Sequence, residues 1–369
     1  MHKVLNFGSA LQAYALQRKI SLLGYDAEII DYEYNRRPNP KISVSVIIKR
    51  IRTFIIDAIL GFPHAKQNRR FSDFYNEHMI CSREHYNKLN MNYSLMDYDV
   101  FCTGSDQVWN PRFVNDDTNF LLSFVPSGKP RFSYAASFAT DYIAHEKEYI
   151  YRKYLPLYNF ITVREQSGVA LVKEFADKNA EVVCDPTILL TESEWNEIAS
   201  ESKHKDEGDY ILVYLLGYMF NMRPQVYGII DKIQEELGLK VIYLNGSRYE
   251  ANRPQSKLVK DCGPAEFLHL FQNAKFVVTD SFHGTAFSCI YNRPFIGVIR
   301  DNCKSDSRIK SLVNLVGNSC SLVCYKDIPD FSKQSIDKYK CDIHKLEVFR
   351  NDSSELLMTM IKECEAHII

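Results

Sequence analysis

No single sign of charge dominates this chain. It has 45 Lys and Arg against 46 Asp and Glu, a net charge of −1, which excludes the basic surplus expected of a nucleic-acid binder. No apolar run approaches the roughly 20 residues that a membrane-spanning helix requires. The opening stretch MHKVLNFGSALQAYAL lacks the basic region, apolar core and cleavage site of a signal peptide, so the cytosol is the expected compartment. CxxC pairs are missing too. The ten cysteines are scattered, and Cys102, Cys184 and Cys289 lie in apolar segments, where a free thiol acts as a small buried hydrophobe. Cys320 and Cys324 are spaced for neither a zinc knuckle nor a redox motif, so reduced thiols and no metal are expected. A Walker loop, a GxGxxG, a serine-hydrolase elbow, internal repeats and low-complexity tracts are all absent.

What is present is alternation. At 369 residues the chain exceeds what one core usually serves, so two domains are expected. Strand-like and helical runs alternate throughout, the pattern of α/β layers. GSALQAYALQRKISLL (8–23) has helical spacing and stops at Gly24, and DAEIIDY (26–32) reads as a strand. Further strands are expected at 99–104, 131–137, 159–164 and 180–185. SESKHKDEG (200–208) is nearly devoid of apolar residues and reads as a linker. A second series follows: strands at 210–217, 240–245, 275–280 and 294–299, with helices near 222–237, 264–273 and 308–317. The closing LEVFRNDSSELLMTMIKECEA reads as a terminal helix. A doubly wound domain opens with a strand, yet the first helix starts about eight residues in. Either HKVLNF is the stub of that strand or the chain is truncated at its start, and truncation is the expectation.

One segment differs from its surroundings. From Arg36 to Arg70 there are nine Lys and Arg against one acid, Asp57. KISVSVIIKRIRTFIIDAILGF (41–62) is apolar on a broad face and basic elsewhere. It reads either as an amphipathic helix packed on its own domain or as a peripheral contact with a membrane surface or acceptor.

Several polar clusters sit where strands should end. TDSFHGTAFS (279–288) follows KFVV, so His283 falls in the first turn of a helix capped by Asp280 or Ser281, with Gly284 and Thr285 keeping that turn open. Ligands of open α/β sheets bind there, and a helix N-terminus presents N–H groups to a phosphate. His283 then either moves a proton or merely caps and packs. Arg164 ends the strand NFITVR and can fork onto a carboxylate or phosphate, or pair with Glu165 at the surface. TGSDQVWNP (103–111) gathers Ser105, Asp106 and Trp109, which suits a sugar ring stacked on Trp109 with Asp106 on its hydroxyls, or else a rigid turn. Asn6, Gly8 and Ser9 open the first helix in an anion- or hydroxyl-binding arrangement that simple capping also explains. CDPTILL (184–190) reads as structural, with Asp185 and Pro186 turning the chain.

Taken in order, NFGSALQAYALQRKISLLGYDAEIIDY, YDVFCTGSDQVWNP, SYAASFA, ITVREQSG, VVCDPTILL, GPAEFLHLFQNAKFVVTDSFHGTAFS and NRPFIGV resemble the polysaccharide pyruvyl transferase family across nearly the whole chain. The resemblance implies two Rossmann-like domains facing across a cleft, as in GT-B glycosyltransferases. Residues 1–200 would be the acceptor side with the basic insert 36–70, residues 208–340 the donor side, and 341–369 a helix returning to the first domain. It also implies transfer of a pyruvyl group from phosphoenolpyruvate, as co-substrate and with no cofactor, to two hydroxyls of a sugar or lipid-linked oligosaccharide. His283 matches the family's general-acid histidine and Arg164 an arginine on the donor side. Asn6, Gly8, Ser105, Asp106 and Trp109 fall on the acceptor side, and Ser281, Gly284 and Thr285 on the donor side. Many members carry Arg two residues before the histidine; here that residue is Ser281, which leaves the donor carboxylate to Arg164, Lys304 or Arg308. Two other readings stand beside this one. A GT-B glycosyltransferase using a nucleotide sugar is weakened by the lack of glutamate between Pro294 and Val316. A catalytically silent sugar-binding protein is prompted by Ser281.

Overall fold

The computed structural model describes residues 3–34, 58, 61–88, 90–91, 97–114, 117–217, 221–300 and 307–367. Lys304, and the expected basic helix at 41–62 apart from residues 58, 61 and 62, lie outside them. Among the described residues the first half forms β1 (Ile29–Tyr32), β2 (Cys81–Tyr86), β3 (Phe101–Thr103), β4 (Arg131–Ala136), β5 (Phe160–Val163) and β6 (Glu181–Val182). The second half forms β7 (Tyr210–Tyr214), β8 (Lys240–Leu244), β9 (Ser256–Val259), β10 (Phe276–Thr279), β11 (Phe295–Ile299) and β12 (Leu322–Cys324).

Strands β7 to β12 make one parallel sheet in the order β12-β11-β10-β7-β8-β9, the doubly wound order. Parallel neighbours need crossovers, and the helices Arg223–Leu237, Pro264–Asn273 and Phe282–Ile290 supply them. All five residues of β7 are buried, which is why YILVY reads as one apolar run rather than an alternation. The strand order reverses between β7 and β10. At that point the Thr279 hydroxyl donates to the Tyr214 carbonyl at 2.7 Å, and the Asp280 carboxylate accepts the Leu216 N–H at 2.6 Å. The crevice beyond the strand ends is therefore floored by fixed polar bonds.

The first half has β1 paired with β2, and separately the sheet β3-β4-β5-β6, all parallel. This is the same winding order with no strand in the central place among the described residues. Instead β1 and β3 both line a groove of about 650 Å³, floored by Leu16, Ile20, Phe132 and Ile361. Lys3–Leu5 form a turn and bend, so the reading of HKVLNF as a strand stub does not hold for those residues. Three strands, β2, β9 and the three-residue β12, were not expected from the sequence. β2, CSREHY, buries only Ser82 and Tyr86, so it carries too few apolar side chains to register. β9 lies at the edge of its sheet and has a similarly mixed pattern.

An apolar seam joins the halves. The first two turns of helix Phe7–Leu22 are buried on every side, because they lie between the first sheet and the second half of the chain. The Phe7 ring stacks on Phe267 at 4.6 Å and meets Phe71 at 5.2 Å, while Trp195 meets Phe287 at 5.2 Å. Arg70 adds a polar strut, 3.0 Å from Asp261 and 3.2 Å from Glu266. The closing helix Ile343–Ala366 returns to the first half, where Ser353 accepts the Cys184 N–H at 2.9 Å and Arg350 donates to the Ile188 carbonyl at 2.6 Å. Phe267 is fully buried at the centre of this seam. Its replacement by Ala should cost about 3–5 kcal/mol in urea unfolding; a loss below about 1 kcal/mol would mean that the seam does not hold the halves together.

Candidate active site

Four strand ends of the first half point polar residues at one spot. Asp106 follows β3, Ser137 follows β4, Arg164 and Glu165 follow β5, and Asp185 follows β6. They converge because parallel strands bring all their carboxyl ends to one edge. Asp185 is fully buried. One of its oxygens accepts the N–H and hydroxyl of Thr187 at 3.0 and 2.8 Å, capping helix Pro186–Leu189. The other accepts from Arg164 Nη1 at 2.7 Å and from the Ser105 hydroxyl at 3.0 Å. Arg164 also stands 3.9 Å from Asp106 and 3.9 Å from Glu165, and its guanidinium lies 4.5 Å from the centre of the Phe282 ring. Glu165 accepts from the Ser137 hydroxyl at 2.7 Å and the Ala139 N–H at 3.1 Å. Asp106 holds a left-handed backbone (φ 73°), uncommon for a non-glycine residue and a mark of local strain. The Ser9 hydroxyl donates to it at 2.6 Å.

The second half contributes His283, in the first turn of helix Phe282–Ile290. Its Nε2 lies 3.7 Å from Asp185. The ring lies against Gly8, in the first turn of the opposing helix Phe7–Leu22: a Cβ on Gly8 would sit 2.0 Å from Nδ1. Two helix N-termini thus meet across the seam, and only glycine fits between them.

Burial pushes the carboxyl of Asp185 up, but His283 and Arg164 outweigh it and hold the group well below the usual range. Asp106 is likewise lowered, with Arg164 and His283 overcoming its desolvation. Arg164 is raised: burial acts against its charge, and Asp185, Glu165 and Asp106 more than compensate. The cluster is not fully satisfied. Arg164 Nε and Nη2, Glu165 Oε2 and His283 Nε2 are sealed from solvent without a hydrogen-bond partner. Buried polar atoms are nearly always bonded, so orphans gathered at one point mark a site completed by something else.

Several expected residues take other roles. Trp109 is not a sugar platform: it is fully buried, its indole N–H donates to the Phe120 carbonyl at 3.1 Å, and Phe138 and Tyr158 pack on it. Ser281 caps its helix, accepting the Gly284 N–H at 3.3 Å. Thr285 is fully buried and donates to the Ser281 carbonyl, and a Cβ on Gly284 would strike Thr279 at 2.3 Å. These three build the turn that carries His283 rather than line the cleft. Arg164 is no surface ion pair, because its side chain is 1% exposed. Asn6 caps helix Phe7–Leu22 through the Ser9 N–H at 3.0 Å. Ser105 reaches the site through Asp185. Arg308 lies in the first turn of helix Ser307–Leu315, directly after residues outside the description. Asp185, read from sequence as a structural turn, is instead the carboxylate nearest His283. The signal was there: it follows a strand, as Arg164 does.

The two parallel α/β halves, with one imidazole facing a buried carboxylate and guanidinium cluster across their junction, define an architecture of two Rossmann-like domains sharing a cleft. The chain belongs to the polysaccharide pyruvyl transferase family, whose model matches residues 6–302. No curated protein matches it in sequence. Its fold is similar to that of the Methanocaldococcus jannaschii UDP-GlcNAc 2-epimerase solved with UDP-GlcNAc and UDP, at 14% identity over 96% of each chain and a TM-score of 0.53. It is similar also to a candidate UDP-N-acetylglucosamine 2-epimerase of Listeria monocytogenes, at 11% identity over 93% of this chain and 92% of that one, TM-score 0.50. Likeness at that level is one of fold alone.

Removing Arg164 would leave three buried carboxylates facing each other. Arg164→Ala should therefore destabilise the protein by about 3–5 kcal/mol at pH 7. The lowered carboxyls of Asp185 and Asp106 contribute stability above about pH 4, the range of an unfolded Asp, and lose it as pH falls further. In the variant the part that Arg164 supplies is gone, and protonation relieves repulsion instead. Urea unfolding at pH 7 and pH 4.5 should show the deficit narrowing as pH falls; a deficit that widens would contradict the electrostatic account.

Proposed function

We propose that this enzyme transfers a pyruvyl group from phosphoenolpyruvate to two hydroxyls of one sugar in a polysaccharide or oligosaccharide precursor, forming a cyclic pyruvate ketal. The observation that carries this reading is His283, an acid–base group at the strand-order reversal, held against a buried cluster from the other half. Family membership supplies the reaction class.

The enol carbon of the donor becomes electrophilic only when its methylene is protonated. His283 gives that proton, and the π electrons form the new C–H bond. A sugar hydroxyl adds to the central carbon and releases its proton, which restores His283. The second hydroxyl then displaces phosphate, which leaves with the electron pair of the C–O bond and takes up the proton that this hydroxyl releases. Diol and phosphoenolpyruvate thus become ketal and inorganic phosphate. The two helix N-termini that meet at Gly8 and His283 offer N–H groups and positive dipole ends to the donor's phosphate and carboxylate. Asp106, fixed by Ser9 and partly exposed, accepts a hydrogen bond from a sugar hydroxyl. Arg164, engaged with Asp185 and covered by Phe282, keeps the carboxylates ionised rather than meeting the donor directly.

Phosphate release from phosphoenolpyruvate should depend on a galactosyl, mannosyl or glucosaminyl acceptor, and His283→Ala should lower it by roughly 10²–10⁴-fold. No release, with heat-shift stabilisation by a nucleotide sugar, would favour the glycosyltransferase reading. Sugar binding without any turnover would favour the silent one. A lipid-linked oligosaccharide is the acceptor form that the basic segment 41–62 suits, and among the described residues no helix is long and apolar enough to cross a membrane. Changing Lys49, Arg50 and Arg52 to Glu should weaken sedimentation with anionic vesicles; unchanged binding would remove the membrane contact from this account.

A further inference from the structure

We propose that Asp185 is a positioning residue that fixes the tautomer of His283, so that Nε2 keeps its hydrogen and all proton traffic passes through Nδ1. This deepens the reading of His283 as the acid–base group and rests on it.

A neutral imidazole carries one N–H, and the group facing each nitrogen decides which. Nε2 of His283 faces Asp185 at 3.7 Å. That carboxylate cannot turn away, because Thr187 holds one oxygen and Arg164 and Ser105 hold the other. Its ionised form is supported by the Arg164 guanidinium at 2.7 Å, whatever the charge of the ring. A lone pair on Nε2 would point at a negative charge; an N–H there points a donor at it. Neither Nε2 nor Asp185 reaches solvent, so no water competes for that hydrogen.

The other side of the ring is arranged differently. The ring keeps 10% of its side-chain surface exposed, and Nε2 contributes none of it. Nδ1 instead lies over Gly8, where even a methyl group would come within 2.0 Å. Glycine at that position is what leaves room for the ring edge that carries Nδ1. Arg164 and Asp106 are the other charged groups of the cluster; Arg164 is bonded to Asp185 and Asp106 to Ser9, and neither lies at hydrogen-bond distance from a ring nitrogen. In the reaction the ring acts as an imidazolium: the proton leaves Nδ1, its bonding pair stays there as a lone pair, and the ring is left neutral with hydrogen on Nε2.

The test is nitrogen-15 NMR of histidine-labelled full-length protein without substrate, with His283 assigned by its loss in His283→Gln. Neutral His283 should show a protonated Nε2 and a bare Nδ1, and the Nε2 hydrogen should exchange slowly with water. Asp185→Asn, where it folds by circular dichroism, should shift His283 towards the other tautomer or a mixture. In that variant kcat should fall on the order of 10²-fold or more, with KM for phosphoenolpyruvate changing far less. A neutral wild-type ring protonated on Nδ1, a mixture of neutral tautomers or a fast-exchanging Nε2 hydrogen would overturn the proposal. So would a folded Asp185→Asn protein with an unchanged spectrum. Wild-type spectra decide even where the variant does not fold. Because they need no substrate, they stand apart from the phosphate-release assay: the tautomer can hold while phosphoenolpyruvate proves the wrong donor, and the reverse.

Discussion

Arg164 sits with an Asp185 oxygen 2.7 Å from one of its nitrogens and with Asp106 and Glu165 each 3.9 Å from others, and almost none of this is in water. Isolated burial of any of these charges would be prohibitive, so each is tolerable only because the rest are there. That mutual dependence governs the local backbone as well. Asp185 must cap its helix, Glu165 must hold the loop after β4, and Asp106 must adopt its left-handed turn for the carboxylates to reach the guanidinium. The ends of three strands are therefore locked to one another by charge, where apolar packing alone would leave them free to adjust.

His283 completes the arrangement from the other half. It arrives from the helix after β10, where strand order reverses, and lies beside Gly8 of the first helix. The apolar seam through Phe7, Phe71 and Phe267 sets that approach. Affinity between the halves thus comes from aromatic packing, while the candidate site is a small polar island that the packing surrounds and dries. Drying strengthens each electrostatic contact within that island.

Much of the fold was legible. Runs such as YILVY and KFVVT are continuous and apolar because parallel strands are covered on both faces, and their alternation with amphipathic helices declares α/β layers. β2 escaped because an edge strand with few buried side chains carries no such imprint. His283, Arg164 and Asp106 were legible for a related reason, being polar residues set directly after strand ends. Trp109 misled, since an indole among polar neighbours looks the same in sequence whether its faces meet a sugar or Phe138 and Tyr158. Asp185 was passed over because a DP pair is explained by turn-making, and the residue does cap a helix while its second oxygen serves the site.

By itself the sequence determined the layer type, the strand ends at which chemistry would gather, and the family to which the chain belongs, because periodicity and strand-end polarity are local properties of the chain. Which polar residues meet was decided only by the tertiary structure. Asp185 and His283 are separated by about a hundred positions and by a change of sheet, and no local pattern encodes the 3.7 Å between them. That distance follows from two sheets packed along an aromatic seam, with a glycine where their helices touch.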